Sequence, residues 1–347
     1  MRDRPGRRPA TALRSRGAGR SASGAAALAL VLLAAGPAAA PEPLDLGGLV
    51  EEGSRWIEEN VDDEWMTAAR SEIGRRFAGL VPQIRSALES ADTEWLARLR
   101  PAVRGLLPLA RQVPDLAPYA DWLEARIDYF DEAEAAAAEV PDAPPPGVSR
   151  EGPAAPPRPT SPEVRRRRTE RARSPDVWKV RVSKRSPPAS AAALMPRLKA
   201  AFRAEGVPEP WVWIAEVESS MNPAARSPAG AVGLFQFMPA TARQYGLRTA
   251  PVDERCDPEK SAGAAARYLS VLHRRFDSWP LALAAYNTGE GRVSRILRER
   301  GATTFEEIAP HLAVETQMYV PRVLATVSRR EGVDARALPA PSARRAL

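Results

Sequence analysis

Cysteine and histidine are almost missing from the 347 residues: Cys256 stands alone, and the only histidines are His273 and His311. One cysteine excludes an internal disulfide, so any fold must be held by its core. Two histidines leave neither a zinc set nor a cysteine nucleophile with a placed base. No metal and no cofactor is therefore expected. Cys256 reads as a small side chain, buried or half-buried, and His273, in an arginine-rich helical stretch, as solvated surface. No segment sustains the two-residue alternation of a half-buried strand, which argues against a sheet protein. Long apolar runs are also lacking. The longest, Ala25 to Ala35, is too short for a membrane span, which needs about 20 residues.

That short run explains the charge. The formal net charge is +7, yet the first 20 residues hold seven arginines against Asp3, so the rest of the chain is close to neutral. A basic start, a short apolar run and then Gly36-Pro-Ala-Ala-Ala form a secretory leader over residues 1–40. Cleavage is expected near Ala38, because Pro41 sits badly after Ala40; an uncleaved leader would anchor the chain instead. The expected location is the periplasm or cell envelope. Export also removes nucleic acid from the expected partners.

Residues 41–140 read as a helical region of unassigned role. Trp56, Ile57, Val61 and Trp65, then Trp95, Leu96, Leu99 and Val103, recur at helical spacing. Pro82, Pro101, Pro108, Pro114 and Pro118 are expected to cut it into short helices, with tryptophans in the core. Residues 141–188 change character. Pro144-Pro-Pro-Gly and the Pro153 run favour extended backbone, and Arg165 to Arg168, Arg171, Arg173, Lys179, Arg181, Lys184 and Arg185 make the later half basic. A disordered linker is expected, with an electrostatic contact to anionic wall polymer or membrane as its functional reading.

Helical patterning resumes over residues 189–332, followed by a tail, 333–347, expected to be disordered. Leu194 to Phe202 forms one helix, Glu209-Pro210 begins another that runs to Glu218, and Asp257-Pro258 begins a third. Trp279 to Tyr286, Gly291 to Arg300 and Glu315 to Arg330 follow. The fold class is mainly all-α.

Glu218 ends the apolar run Trp211-Val-Trp-Ile-Ala and precedes a loop rich in Asn, Pro, Ser and Gly. A carboxyl desolvated against Trp and Ile holds its proton towards neutral pH, as a general acid requires. A second acid is hard to find. Glu216 lies about 200° round the helix and is expected to face solvent. Asp253, Glu254, Asp257 and Glu290 fall in loops or caps. Glu315 alone could approach the cleft.

Four ordered blocks extend the pattern: Glu218-Ser219; Ser227-Pro-Ala-Gly-Ala with Gly233-Leu-Phe-Gln236 and Met238-Pro239; Ala285-Tyr286-Asn287; and Glu315-Thr316 with Tyr319-Val320. Together they resemble the SLT-type lytic transglycosylases, and the last block most resembles the membrane-bound transglycosylase D group. The resemblance implies a goose-lysozyme-like helical domain that cleaves the glycan strands of peptidoglycan with one acid, Glu218, and leaves 1,6-anhydro sugar ends. It implies sugar- or peptide-binding roles for Ser227 and Gln236, and contacts to substrate or to Glu218 from Tyr286, Asn287 and Tyr319. Ser219 either caps the turn or takes part directly; Met238 and Phe235 either line the sugar floor or pack in the core. Gly230 and Gly233 are expected to admit the glycan close to backbone. Those relatives commonly carry LysM repeats after the catalytic domain; none is read before Leu347, so anchoring to the wall is expected to lie elsewhere. The rival readings are a hydrolase on the same scaffold and a non-catalytic wall-binding protein.

Overall fold

The computed structural model describes residues 63–142 and 160–342, with side chains described from Ser71 onward. The leader, Trp56 and the Trp65 side chain lie outside what is described, as do residues 143–159 with most of the proline runs. Among the described residues the fold is helical, as expected. Only isolated bridges, Arg226 to Val232 and Val232 to Phe237, pair extended backbone.

Four helices come first: α1 (Asp63–Glu89), α2 (Glu94–Arg111), α3 (Ala117–Glu124) and α4 (Ile127–Glu139). The prolines do not all punctuate as expected. Pro82 lies inside α1, and Pro101 and Pro108 lie inside α2. Helix α2 tolerates the lost hydrogen bonds because Leu96, Leu99, Val103, Leu107 and Ala110 form one buried face. Trp122 is core, but Trp95 is 55% exposed, with the Arg98 guanidinium 5.6 Å from its ring centre.

The expected linker is corrected from Thr160 onward. Residues Pro162–Ala172 form α5 and Pro175–Ser183 form α6. The Ser161 hydroxyl caps α5 by accepting from the Val164 amide, and Pro162 fits the first turn. Three cations of the basic run pair with acids of helix α4. Arg171 and Arg181 pair with Glu132 at 3.0 and 2.7 Å, and Arg185 pairs with Asp128 at 2.7 Å. Arg165 pairs with Asp92, Arg166 with Glu163 and Glu170, and Arg168 donates to the Val140 carbonyl. Trp178 of α6 is fully buried and donates its indole N–H to the Ala172 carbonyl.

Helix α7 (Ala191–Ala204) starts the second half, and a 3-10 turn, Glu209–Trp213, leads into α8 (Ile214–Ser219). Next come α9 (Pro239–Gln244), α10 (Pro258–Phe276), α11 (Trp279–Thr288), α12 (Glu290–Arg300), α13 (Phe305–Ile308) and α14 (Val314–Glu331). Asp257 caps α10 through the Glu259 and Lys260 amides, as its place before Pro258 predicts. His273 is not solvated: it is 7% exposed and stacks on Trp279, their ring centres 4.2 Å apart. Residues 333–342 are not a loose tail either. Ala335 is fully buried, the Leu338 carbonyl accepts from Trp279, and Ser342 pairs through its amide with the Gly206 carbonyl.

All these contacts fall within one compact unit, Glu64–Leu347. Two apolar clusters meet at α14. Tyr319, Val320, Val323, Leu324 and Val327 belong to the cluster built by α7 to α13, whereas Val314, Met318 and Ala325 belong to the cluster of α1 to α6. Between them Arg322, 5% exposed, pairs with Asp128 at 3.1 Å. Asp128 thereby meets three cations: Arg322, Arg185 and Arg181. Asp128→Ala takes the carboxylate from the buried Arg322 guanidinium and is expected to destabilise the protein by about 3–5 kcal/mol, read as a lower denaturation midpoint in urea. A loss under about 1 kcal/mol would show the cluster to be an ordinary surface network.

Candidate active site

Glu218 occupies the last turn of α8. The chain reverses directly after it, with Ser220 and Met221 in the left-handed region at φ of 52° and 61°. The reversal is closed by Ser220 N–H to the Glu216 carbonyl and Met221 N–H to the Ala215 carbonyl, a helix-ending pattern that Met221 secures by full burial. The helix tip is thus pinned, and Glu218 with it.

The Glu218 carboxyl is 4% exposed. Tyr319 donates its hydroxyl to Oε1 at 2.7 Å, and Arg126 Nη2 stands 3.7 Å from Oε2. Burial drives the carboxyl's pKa up to about 7, against the opposing pull of Arg126 and the Tyr319 hydrogen bond. Burial and the neighbouring Glu218 likewise hold the Tyr319 phenol far above its ordinary value, so it stays a donor.

The loop behind the acid is fastened by its own polar groups. Ser219 is fully buried, its hydroxyl 2.9 Å from the Leu234 carbonyl and 3.1 Å from that of Ala215, so it ties α8 to the loop. The Ser227 amide donates to the Ala231 carbonyl, and the buried Ser227 hydroxyl accepts from the Ala231 amide. Gly233, at φ +87°, could not carry a side chain, since a Cβ would lie 1.9 Å from the Arg255 carbonyl oxygen. This corrects the expectation for Gly233: its close neighbour is this protein's own backbone. Gly230, at φ +91°, faces open space. Phe235 is core, packed 5.9 Å from Phe202, whereas Met238 is 43% exposed.

Gln236 adopts a left-handed φ of 49° and donates Nε2 to the Gly233 carbonyl at 2.9 Å. Its Oε1 is buried without a hydrogen-bond partner, an unsatisfied acceptor of the sort a polar ligand can meet. Tyr286 donates its hydroxyl to the Phe235 carbonyl at 2.8 Å, so it braces the loop rather than Glu218 directly. Asn287 accepts from Thr316 at 2.6 Å and joins α11 to α14. Of the sequence candidates, only Tyr319 reaches the Glu218 carboxyl by a hydrogen bond.

The other acids are engaged elsewhere. Glu216 is not a solvated outer residue: it is paired with Arg330 at 2.7 Å over the Trp213 ring. Arg248 and Lys260 hold Glu254 down to about 2. Asp253 pairs with Arg255, Asp257 caps α10, and Glu290 pairs with Arg275. Glu315 does approach, but through Arg126, whose Nε it accepts at 3.0 Å. Cys256 is half-buried and burial raises its thiol, which weakens it as a nucleophile.

Two arginines have no counterpart in the sequence motifs. Arg255 donates Nη1 to the Gly230 and Phe237 carbonyls, both at 2.9 Å, and so holds both limbs of the loop. Arg126 comes from 92 residues before Glu218; the one available signal was a cation inside the apolar stretch Trp122 to Phe130.

Comparison with known proteins bears on this geometry. Residues 197–309 match the family model of the transglycosylase SLT domain. Over 114 residues the chain is 43% identical to the membrane-bound lytic murein transglycosylase D of Escherichia coli (strain K12), covering 31% of this chain and 25% of that protein. Over 122 residues it is 37% identical to the soluble lytic murein transglycosylase of Salmonella typhimurium, covering 32% of this chain and 19% of that protein. A solved structure of the 70-kDa soluble lytic transglycosylase with bulgecin A superposes with a TM-score of 0.38 at 20% identity, over 74% of this chain and 54% of that one. The chain carries an SLT-type transglycosylase domain. The family match includes Glu218 through Asn287 but ends before α14, and it excludes all of α1 to α6.

The raised carboxyl has a consequence for stability. An unfolded Glu218 ionises near pH 4.5, whereas the folded one keeps its proton to about 7. Its burial is therefore harmless below pH 4.5, and stability falls as pH rises from there to about 7, by roughly 3 kcal/mol in all. Glu218→Gln is expected to remove that decline, so that the variant gains on the wild type between pH 4.5 and 7 in urea unfolding. Parallel curves for the two proteins would show that the carboxyl is solvated.

Proposed function

We propose that this protein is a peptidoglycan lytic transglycosylase that cleaves the β-1,4 bond between N-acetylmuramic acid and N-acetylglucosamine without consuming water. The observation that supports it most is the state of Glu218: a buried carboxyl held near pH 7, with every other nearby acid already bound to a cation or a helix cap. Ordinary glycosidases need two carboxylates across the scissile bond. One acid suffices when the substrate supplies its own nucleophile.

In this reading Glu218 gives its proton to the glycosidic oxygen as the bond to C1 breaks. The muramic C6 hydroxyl then attacks C1, and the Glu218 carboxylate takes the proton that hydroxyl releases. The ring closes as a 1,6-anhydro sugar and Glu218 returns to its starting state. Proton transfer by a placed group contributes roughly 10² to 10⁴ in rate, and attack from within the same sugar supplies proximity. The Tyr319 donor at Oε1 leaves Oε2, which accepts no hydrogen bond, as the oxygen that carries the moving proton. In this reading Gln236, with its open acceptor, and the exposed Met238 would meet the glycan, while Ser219, Ser227, Tyr286 and Asn287 hold the frame. The relatives named above are murein transglycosylases, which agrees with this assignment. The leader at residues 1–40 would deliver the chain to the periplasm or cell envelope; among the described residues no helix is long and apolar enough to cross a membrane.

Mass spectrometry of digested sacculi tests the chemistry. Wild-type protein should release anhydro-muropeptides, each lighter by one water than a hydrolytic product. Glu218→Gln should lower the rate by at least about 100-fold while the protein stays folded and still binds glycan. The wild-type rate should fall as pH rises through about 7, where the donor loses its proton. Reducing muramic ends would assign a hydrolase, and full activity in the variant would remove Glu218 from the reaction.

A further inference from the structure

Arg126 lies in the turn between α3 and α4, in a region to which no sequence motif assigns chemistry. It is 8% exposed and fixed on several sides. Its guanidinium stacks 4.6 Å from the Trp122 ring centre, Nε donates to Glu315 Oε1 at 3.0 Å, and Nη1 lies 3.4 Å from the Trp122 and Glu218 carbonyl oxygens. That leaves Nη2 turned towards Glu218 Oε2 at 3.7 Å. A cation held by groups other than the carboxyl it faces keeps its place whichever way that carboxyl is protonated.

The surrounding segments are anchored to match. The Asn222 amide donates to Asp121 at 2.7 Å, and the Arg226 N–H donates to the Pro118 carbonyl at 3.2 Å. Both bonds join α3 to the loop that follows Glu218, so the turn carrying Arg126 and the tip of α8 form one block.

We propose that Arg126 is a positioning residue for Glu218: it directs the carboxyl and stabilises the anion that exists between the two proton transfers, so the helices before residue 142 complete the active site. This rests on the acid–base role proposed for Glu218. The groups that face Glu218 are Tyr319, Glu315 and Arg322 from α14, Tyr286 from α11 and Arg126 from the α3–α4 turn. Tyr319 and Tyr286 stay neutral, and Arg322 is paired with Asp128. Arg126 is thus the cation placed to answer the charge on Glu218, with Glu315 tempering it from the far side.

The test is a titration that needs no turnover. The side-chain carboxyl carbon of Glu218, labelled with carbon-13 and assigned by its loss in Glu218→Gln, is followed by NMR against pH in the full chain. Arg126→Gln should move the midpoint up by at least about one unit, as removal of an adjacent cation does, and Arg126→Lys should restore most of it. Glu315→Gln should move it down, because both the like charge and the counter-ion of Arg126 are lost. This arm stands even if Arg126→Gln fails to fold. On sacculi, Arg126→Gln should lower kcat with little change in KM and shift the pH limit of activity with the NMR midpoint. An unmoved midpoint in folded Arg126→Gln, or a Glu315→Gln midpoint that stays or rises, overturns the proposal. Absence of anhydro product from the wild type would defeat the reaction assignment while leaving the titration result intact.

Discussion

Holding an acid out of water is the constraint around which the rest of this molecule is arranged. A carboxyl as buried as Glu218 favours its neutral form, and any looseness nearby would admit water and return its pKa to the ordinary range. The tip of α8 is therefore immobilised by the left-handed residues Ser220 and Met221 and by the buried Ser219 hydroxyl. Tyr319 reaches it from α14, which is itself gripped on two faces by two apolar clusters. Neither cluster alone covers α14. Its Val314, Met318 and Ala325 face would lie open without the N-terminal helices, and its Tyr319 would lose its bearing on Glu218 if the helix shifted.

Charge is organised by the same logic. Helix α4 sets Asp128, Asp131 and Glu132 against arginines from α2, α5, α6, the residues just beyond α6, and α14. Buried pairs of this kind contribute little net stability compared with apolar packing, but breaking one is costly, so they specify which helix lies against which. The consequence reaches the active site: the ion cluster fixes α4 against α14, and the turn before α4 carries Arg126. Residues 160–185, which composition marks as a solvated tether, instead hold α4 by ion pairs.

The sequence showed the second half well and the first half poorly, for physical reasons. The helices of residues 189–332 have strong local signals: Asp257 before Pro258, an apolar run that stops at Glu218, and prolines at first turns. Those features act within a few residues, so a linear reading captures them. Burial of Glu218 was legible because its apolar neighbours are adjacent in the chain. By contrast, α5 is polar almost all round, and its stability comes from acids about 30 residues away on α4. No local pattern announces such pairing. Ion pairs between helices also explain why Glu216 is not solvent-facing: Arg330, 114 residues later, covers it. Residues 333–342 likewise have remote partners, Trp279 and Gly206, whereas His273 is covered by Trp279 six residues on, across a helix break that periodicity does not reveal. The roles of Gly233 and Tyr286 in bracing the loop were likewise hidden, because a motif records identity and not what a group faces.

In the proposed reaction a single group first gives a proton and then takes one back, and it works best when neither form is strongly favoured near the working pH. Burial alone would fail this requirement, since it penalises only the anion and would leave Glu218 a reluctant donor. Arg126 and the Tyr319 hydroxyl act in the opposite direction, and Glu315 limits how far Arg126 can go. These influences come from three separate parts of the chain: the tip of α8 buries the carboxyl, α14 supplies Tyr319 and Glu315, and the α3–α4 turn supplies the cation. The balance near neutrality is therefore a property of their assembly. A segment limited to residues 197–309 would retain Glu218 and the loop that follows it, yet lack each of the three groups that set the strength of its acid.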